Sequence, residues 1–245
     1  MKIYIPTRSR PNSQRAYDQL EAAGLKPILV VHEDQRNLYA VHKRRTIYSP
    51  PACGIAAARQ FILQHAGNAK HATFDDDTTL ALVEEDPITG KCAIVNDPQP
   101  ADLRRQIEHA DELLETFAHG GVHTRHFVNY AKKPFTVNRG YPRQIMFYNP
   151  KLLMTRPSFE GNTAEDVRFF ISCLRQGLDY FIMTSCCMIE KPSAELKTHF
   201  TQEGKNKDML QMVEDMDLHE FVRPTADGRI TLSYSRILKQ AKKGL

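Results

Sequence analysis

His71-Ala72-Thr73-Phe74-Asp75-Asp76-Asp77 is a short apolar run closed by three consecutive carboxylates. Three adjacent negative charges repel one another unless something cationic sits among them. Read as a strand, the run alternates its side chains, so Asp75 and Asp77 share one face and Asp76 points away. Two carboxylates on one face at a strand end suit a hard divalent ion, Mg2+ or Mn2+, that also holds a diphosphate. An acidic loop start or a helix cap is the plain alternative. The neighbouring sequence decides between them.

Upstream, residues 2–6 read as a strand stopped by Pro6, with a polar loop to Asn12 and a helix over 13–23 that Gly24 ends. A second apolar strand over 27–31 runs into His32-Glu33-Asp34, and a brief strand at 47–48 precedes Pro50-Pro51. Residues 54–66 carry a helical pattern, with Ile55, Ala58, Ile62 and Ala66 on one side and Gly67 as the stop. Strands alternating with helices argue for a largely parallel sheet with right-handed crossovers. Ligands in such sheets gather at the carboxyl ends of the strands, where Thr7-Arg8, Glu33-Asp34 and residues 75–77 fall.

Downstream, 102–118 is a charged amphipathic helix with Gly120-Gly121 behind it. Residues 122–148 mix β-branched, aromatic and basic side chains (His123, Arg125, His126, Lys132, Lys133, Arg139, Arg143), and 144–148 reads as a strand. A helix over 162–176 is capped by Asn162 or Thr163, with Asp166 in its first turn, where the helix dipole favours a carboxylate. A buried strand follows over 180–189, and beyond Lys191 the chain turns polar and becomes a tail of short helices.

With 245 residues, 41% hydrophobic and 25% charged, the chain fits one globular domain or a domain with a tail. No apolar stretch is long enough to span a bilayer and no signal peptide opens the chain, so no membrane partner and a cytoplasmic location are expected. Cys53, Cys92, Cys173, Cys186 and Cys187 are odd in number and lack CxxC spacing, which points to reduced thiols and away from zinc. The net charge of +4 permits a polyanionic partner without requiring one. Basic clusters at Arg8/Arg10/Arg15, Lys43-Arg44-Arg45, Lys132-Lys133 and Lys239/Lys242/Lys243 read individually as solvated faces.

Four segments in order carry a family likeness: Ile5-Pro6-Thr7-Arg8-Ser9-Arg10, Gly54-Ile55-Ala56-Ala57-Ala58-Arg59-Gln60, Phe74-Asp75-Asp76-Asp77, and Glu160 followed by Glu165-Asp166-Val167-Arg168-Phe169. Together they resemble the GT-A glycosyltransferases. The resemblance implies an α/β, Rossmann-like fold, a mixed and mostly parallel sheet flanked by helices, with a short C-terminal helical tail. It implies a glycosyltransferase domain over 1–190, with a nucleotide-sugar-binding half at 1–100 and an acceptor-binding half at 101–190, and an extension over 191–245. In such enzymes the first segment receives the nucleotide, which assigns donor binding to Pro6, Thr7, Arg8, Arg10 and Glu33. The second is similar to a Gly-x-x-x-Ala-Arg-Asn helix start, with Gln60 where asparagine is usual, and its Arg59 lies near the nucleotide. The third matches the Asp-x-Asp motif, giving Asp77 and Asp75 to the metal and Asp75 and Asp76 to the donor. The fourth resembles a later Glu-Asp pair, which makes Asp166 the general base with Glu165 and Glu160 behind it. A histidine that completes the metal shell in many members maps to His199. The glycine-rich opening of the sugar nucleotidyltransferases is missing.

As a short single-domain sequence with a Pro-Thr-Arg opening, the chain looks like phage-encoded enzymes that glycosylate hydroxymethylated pyrimidines in DNA, 5-hydroxymethylcytosine among them. Some of those are associated with hydroxylating dioxygenases. That likeness implies a metal-dependent, inverting transfer from a nucleotide sugar, a UDP-sugar by preference, to double-stranded DNA in the host cytoplasm. Arg125, Lys132, Lys133, Arg139 and Arg143 would then neutralise phosphates, and Tyr130, Phe135 and Tyr141 would stack beside an extruded base. The same fold also serves transferases acting on a polysaccharide or a protein, and a DNA-binding accessory protein without turnover is a further alternative. A metal-dependent nuclease would use the carboxylates but leave residues 54–59 without a role.

Overall fold

The computed structural model describes residues 1–50, 54–86, 88–124, 133–160, 164–190, 202–225 and 229–244. The chain opens with β1 (Lys2–Thr7), α1 (Arg15–Ala22), β2 (Ile28–His32), α2 (Arg36–Ala40), β3 (Thr46–Ser49), α3 (Gly54–Ala66) and β4 (His71–Phe74). β1 and β2 are buried along almost their whole length, as parallel strands covered on both faces must be. Gly24, at φ +71°, takes the left-handed turn that lets the chain leave α1 for β2. β3, β2, β1 and β4 lie side by side and all parallel.

The second half adds β5 (Thr78–Glu85), β6 (Cys92–Val95), α4 (Pro100–Leu113), β7 (His119–Thr124), β8 (Phe135–Val137), β9 (Ile145–Tyr148), α5 (Glu165–Leu174) and β10 (Tyr180–Glu190). The sheet runs β3-β2-β1-β4-β9-β7-β10-β5-β6, with β8 pairing on β10. β9 is antiparallel to both neighbours, whereas β7 and β10 are parallel to each other. A bulge shifts the register of β10 between Met183 and Cys187, and beyond it β10 pairs with β5, which begins just after β4.

Alternation along the strands divides the core into two faces. Ile3, Ile5, Phe74, Phe147 and Phe181 join Tyr17 and Leu20 of α1 and Leu103, Ile107 and Ala110 of α4. Tyr4 and Val30 on the opposite face meet Ile62 and Ala66 of α3, and Met146 and Tyr148 meet Phe169 and Cys173 of α5. Each fully buried Leu, Ile or Phe in these layers contributes roughly 1.5–3 kcal/mol. Cys173, Cys186 and Cys187 are buried free thiols and Cys92 is a half-buried one, while Cys53 lies outside the described residues.

The chain continues through α6 (Gln202–Asp215), β11 (Val222–Pro224), β12 (Ile230–Leu232) and α7 (Tyr234–Lys243). Met212, Val213, Leu218, Phe221, Leu232, Ile237 and Leu238 from this segment share one core with Val167, Phe170, Ile171 and Leu174 of α5. The C-terminal segment is thus part of the packing beneath α5. No helix among the described residues is long and apolar enough to cross a membrane.

Three local expectations are corrected. The helix expected over 102–118 spans Pro100–Leu113, with Pro100 at its first turn, and the Gly120-Gly121 pair behind it lies inside β7. A Cβ on Gly120 would stand 2.5 Å from the Phe181 ring, and one on Gly121 would stand 2.4 Å from Pro142. Their absence is what lets those two groups cross the strand. The helix expected over 162–176 spans Glu165–Leu174, and its N-cap is Ala164 with no side-chain cap. Finally β4 ends at Phe74, and Thr78 N–H donates to the Asp75 carbonyl at 3.2 Å. The three aspartates therefore sit on a turn, where strand alternation no longer sorts them.

Candidate active site

The site starts from a break in the ladder between β1 and β4. Their pairing ends at Tyr4 and Thr73. Pro6 has no N–H with which to extend it. Thr7 then meets the aspartate turn through its side chain: its hydroxyl donates to Asp76 Oδ2 at 2.6 Å and accepts from Gln14 Nε2 at 2.8 Å. The Tyr39 hydroxyl, 3.1 Å from Thr7 Oγ1, accepts the Arg10 N–H at 2.9 Å. Ser9 sits at φ +57° and exchanges two hydrogen bonds with the Gln35 side chain, each 2.8 Å. A non-glycine residue holds that backbone only where its surroundings fix it. The loop after β1 is thereby pinned by Gln35 in the turn after β2 and by Tyr39 of α2, with Arg10 brought onto the aspartates.

Two arginines divide the carboxylates. Arg10 Nη1 lies 2.7 Å from Asp76 Oδ1 and 3.0 Å from Asp77 Oδ2. Arg59, buried at 3% exposure on α3, donates from Nη2 to Asp75 Oδ1 at 2.8 Å and from Nη1 to Glu165 Oε1 at 2.5 Å. Burial raises the Asp76 carboxyl to about 6, against Thr7 and Arg10, which hold it down. Burial also raises Asp75, with Arg59 opposing, and raises Glu165 to about 7, with Arg59 opposing and Asp166 adding to the rise. The common cause is burial, which Arg10 and Arg59 oppose without cancelling. For Arg59 burial works against the charge, but Asp75, Glu165 and Asp166 outweigh it and push its pKa up.

Asp166, next along α5, is held differently. Tyr141 OH donates to its Oδ2 at 2.6 Å, and the Val167 N–H donates to its Oδ1 at 2.8 Å. Burial and the Asp166 charge keep the Tyr141 phenol protonated. The Tyr141 ring stacks on Tyr234 of α7, with centroids 5.1 Å apart and planes 16° from parallel, and touches Phe170 at 5.4 Å. Arg143 lies 5.8 Å from the same ring.

The remaining expected residues are placed as follows. Pro6 is buried and Arg8 is exposed. Glu33 is exposed and makes a two-pronged pair with Arg36, at 2.7 and 2.9 Å, which lowers its pKa and ties it to its own turn. Glu160 is exposed, accepts from Ser158 Oγ, and borders a cavity of about 270 Å3 with Ala164, Arg168 and Met212. Lys133, Arg139 and Arg143 are exposed. Phe135 packs against Phe117 and His109 at 6.3 and 5.9 Å. His199, Arg125, Lys132 and Tyr130 lie outside the described residues.

No group of three or more His, Cys, Asp or Glu side chains among the described residues is arranged to hold a metal by itself. Arg59 engages Oδ1 of Asp75 and Arg10 engages Oδ2 of Asp77, so each carboxylate keeps a second oxygen outside these ion pairs. Sequence reasoning missed Gln14, Gln35, Tyr39 and Tyr234. The first two are buried polar residues whose only sequence mark is their nearness to a strand end, and Tyr234 lies in the segment read as a tail.

The model of a family described as TET-associated glycosyltransferase matches residues 1–198. No curated protein sequence matches. Glucosyl-3-phosphoglycerate synthase from Mycobacterium tuberculosis, in complex with Mg2+ and uridine diphosphate, is similar over 87% of this chain and 78% of its own, at 12% identity and a TM-score of 0.50. The same synthase with Mn2+, uridine diphosphate and phosphoglyceric acid is similar over 95% of this chain and 86% of its own, at 12% identity and a TM-score of 0.51. At such identity the likeness is one of fold.

Proposed function

The chain belongs to the TET-associated glycosyltransferase family, and from that premise we propose that it moves a sugar from a UDP-sugar to the hydroxymethyl group of a modified pyrimidine in DNA, with inversion and with Mg2+ or Mn2+ bound. One observation carries the reading: Arg59 joins Asp75 of the donor-side turn to Glu165, the residue before Asp166. A single buried side chain thus ties a diphosphate-binding turn to a candidate base.

The residues present fit the ion. Mg2+ is commonly held by one or two carboxylates together with substrate phosphates, and Asp75 and Asp77 offer that pair, with His199 a further candidate. The fold neighbours bind Mg2+ or Mn2+ with uridine diphosphate, which supports the same donor class here. When bound, the ion supplies Lewis-acid charge compensation for a departing diphosphate.

The chain's own groups do the rest. Thr7, Gln14 and Tyr39 fix the loop that carries Arg10, and Arg10 with Arg8 adds positive potential where the nucleotide lies. Asp76 spends its charge on Arg10 and Thr7 and acts as an orienting group. Asp166 takes the proton of the acceptor hydroxyl as that oxygen bonds to the anomeric carbon and the carbon–diphosphate bond breaks on the opposite face. Positioned proton transfer of this kind contributes roughly 100- to 10,000-fold. Tyr141 orients Asp166 and keeps its own proton, so the carboxylate remains the acceptor. Arg139 and Arg143, with Arg125, Lys132 and Lys133, supply phosphate contacts.

The test is incubation of the protein with UDP-sugars, Mn2+, and duplex DNA with or without hydroxymethylated pyrimidines, followed by nucleoside mass analysis. Sugar should appear only on the hydroxymethylated base. Transfer to a glycan or protein with DNA untouched would remove the acceptor assignment and leave the donor chemistry standing.

A further inference from the structure

α7 lies beyond the segment that the family model matches, yet it is fixed against the acceptor-side loop at both of its ends. At its start Tyr234 stacks on Tyr141 at 5.1 Å. At its end Lys242 pairs with Asp179, which accepts from Asn138 Nδ2 at 2.5 Å. The helix therefore runs alongside residues 138–141, the stretch that carries Arg139 and leads to Arg143. Ile237 and Leu238 face the core. Arg236, Lys239 and Lys243, spaced i, i+3 and i+7, fall on one stripe opposite that buried face.

The composition of this helix differs from that of α4 and α6. α4 and α6 both mix acidic with basic residues, whereas α7 reads Tyr-Ser-Arg-Ile-Leu-Lys-Gln-Ala-Lys-Lys and contains no acid. Among the described residues no carboxylate pairs with Lys239, Lys243, Arg139 or Arg143, and the Arg236–Glu220 pair is long, at 3.9 Å, and half exposed. Such a pair commits little free energy. At 10 residues the helix is roughly 15 Å long, about the axial rise of four nucleotides of one strand.

We propose that α7 is a second phosphate-binding row, in which Arg236, Lys239 and Lys243 grip the backbone of a nucleic acid whose other contacts are Arg139 and Arg143. The proposal rests on the DNA acceptor reading and adds a surface that reading does not contain. It also gives the basic cluster Lys239/Lys242/Lys243 a use: Lys242 anchors the helix and its neighbours face the polymer.

The experiment measures binding of the full chain to a labelled duplex across a salt series, for wild type, Lys239→Gln/Lys243→Gln, and the control Lys205→Gln/Lys207→Gln on α6. Two lost phosphate contacts should lower the slope of log affinity against log salt by about two, with the melting temperature held. The KM for duplex acceptor should rise while the KM for the donor does not. The control should keep the wild-type slope. A wild-type protein that modifies DNA while the α7 variant keeps the full slope overturns the proposal and spares the acceptor reading. Anionic phosphatidylserine vesicles bound by wild type and released by the variant, with DNA binding unaffected, would assign the stripe to lipid and overturn it as well. Wild type that neither binds nor modifies DNA removes both.

Discussion

Asp76 and Asp77 share one guanidinium, whereas Asp166 is held by a phenol and a backbone N–H. The carboxylates of the turn after β4 are thus hydrogen-bonded to guanidinium groups, whereas the two hydrogen bonds that reach Asp166 come from neutral donors. A cation partner can be exchanged for another cation, which suits the metal- and diphosphate-binding role proposed for this turn. Neutral donors orient a carboxylate without cancelling its charge, which suits a proton acceptor. Glu165 and Arg59 stand between the two regimes.

The contrast breaks most sharply if the donor side is emptied. Asp77→Ala, or excess EDTA, should abolish transfer and remove the thermal stabilisation that Mn2+ with uridine diphosphate gives by mass action. Full activity in EDTA would end the metal assignment. On the acceptor side, Asp166→Asn should lower turnover by roughly 100- to 10,000-fold while leaving that thermal shift intact. Wild-type turnover in this variant would pass the role to Glu165 or Glu160.

Arg59→Ala attacks the link between the two sides. Removing one member of a buried ion pair costs about 3–5 kcal/mol, so chemical denaturation should show a loss of that size and both donor binding and turnover should suffer. A change in donor KM alone, at unchanged stability, would mean that Arg59 touches the nucleotide directly.

Acid should strain both halves alike. Burial lowers His71, behind the donor half, to about 4, and His119, behind the acceptor half, to about 3. Folded pKa values below the ordinary one contribute stability that is present above about pH 6.5 and is lost as pH falls through the folded values. The loss is of order 3–5 kcal/mol per histidine. Asp76 and Glu165 act with the opposite sign, since their raised carboxyls favour folding most strongly below pH 4.5 and lose that advantage as pH climbs towards 6–7. His71→Phe/His119→Phe should therefore flatten the fall of melting temperature between pH 6.5 and 4, and an unaltered acid limb would contradict the assignment.

The smallest effect is expected at Tyr234. Its stack on Tyr141 is worth about 1 kcal/mol, so Tyr234→Ala should lower turnover about fivefold without raising the donor KM, and Tyr234→Phe should restore it. Equal loss in both variants would show that the ring is not what orients Asp166.

Much of the donor half was legible because local signals and tertiary outcome agree there. The apolar runs at residues 2–6 and 27–31 become buried parallel strands, Gly24 and Gly67 take the positive φ their stop positions imply, and the pattern over 54–66 becomes α3 without a shift. Pairings that depend on distant partners were not legible. Nothing local tells that Arg10 serves Asp76 and Asp77 together, because β4 reads as though it continued through them. Gly120-Gly121 read only as residues behind a helix, because the reason for them is the Phe181 ring and Pro142, both remote in sequence. α7 shows apolar residues at helical spacing, but the face they cover belongs to α5, about 60 residues upstream.

That last separation has a consequence for how the molecule is made. α5 and its Asp166 leave the ribosome about 70 residues before Tyr234 does, a delay of roughly 3–14 seconds at ordinary elongation rates. During that interval the nascent chain already holds β1 to β4 with Arg10 and Arg59, and Phe170 of α5 already has Tyr141 and Tyr180 against it, but its contact with Tyr234 is missing. The Tyr234 stack on Tyr141 is therefore added after Asp166 already has its partners in Tyr141 and the Val167 N–H, and a message cut short before α7 should yield a chain that keeps those two hydrogen bonds and loses the ring behind them.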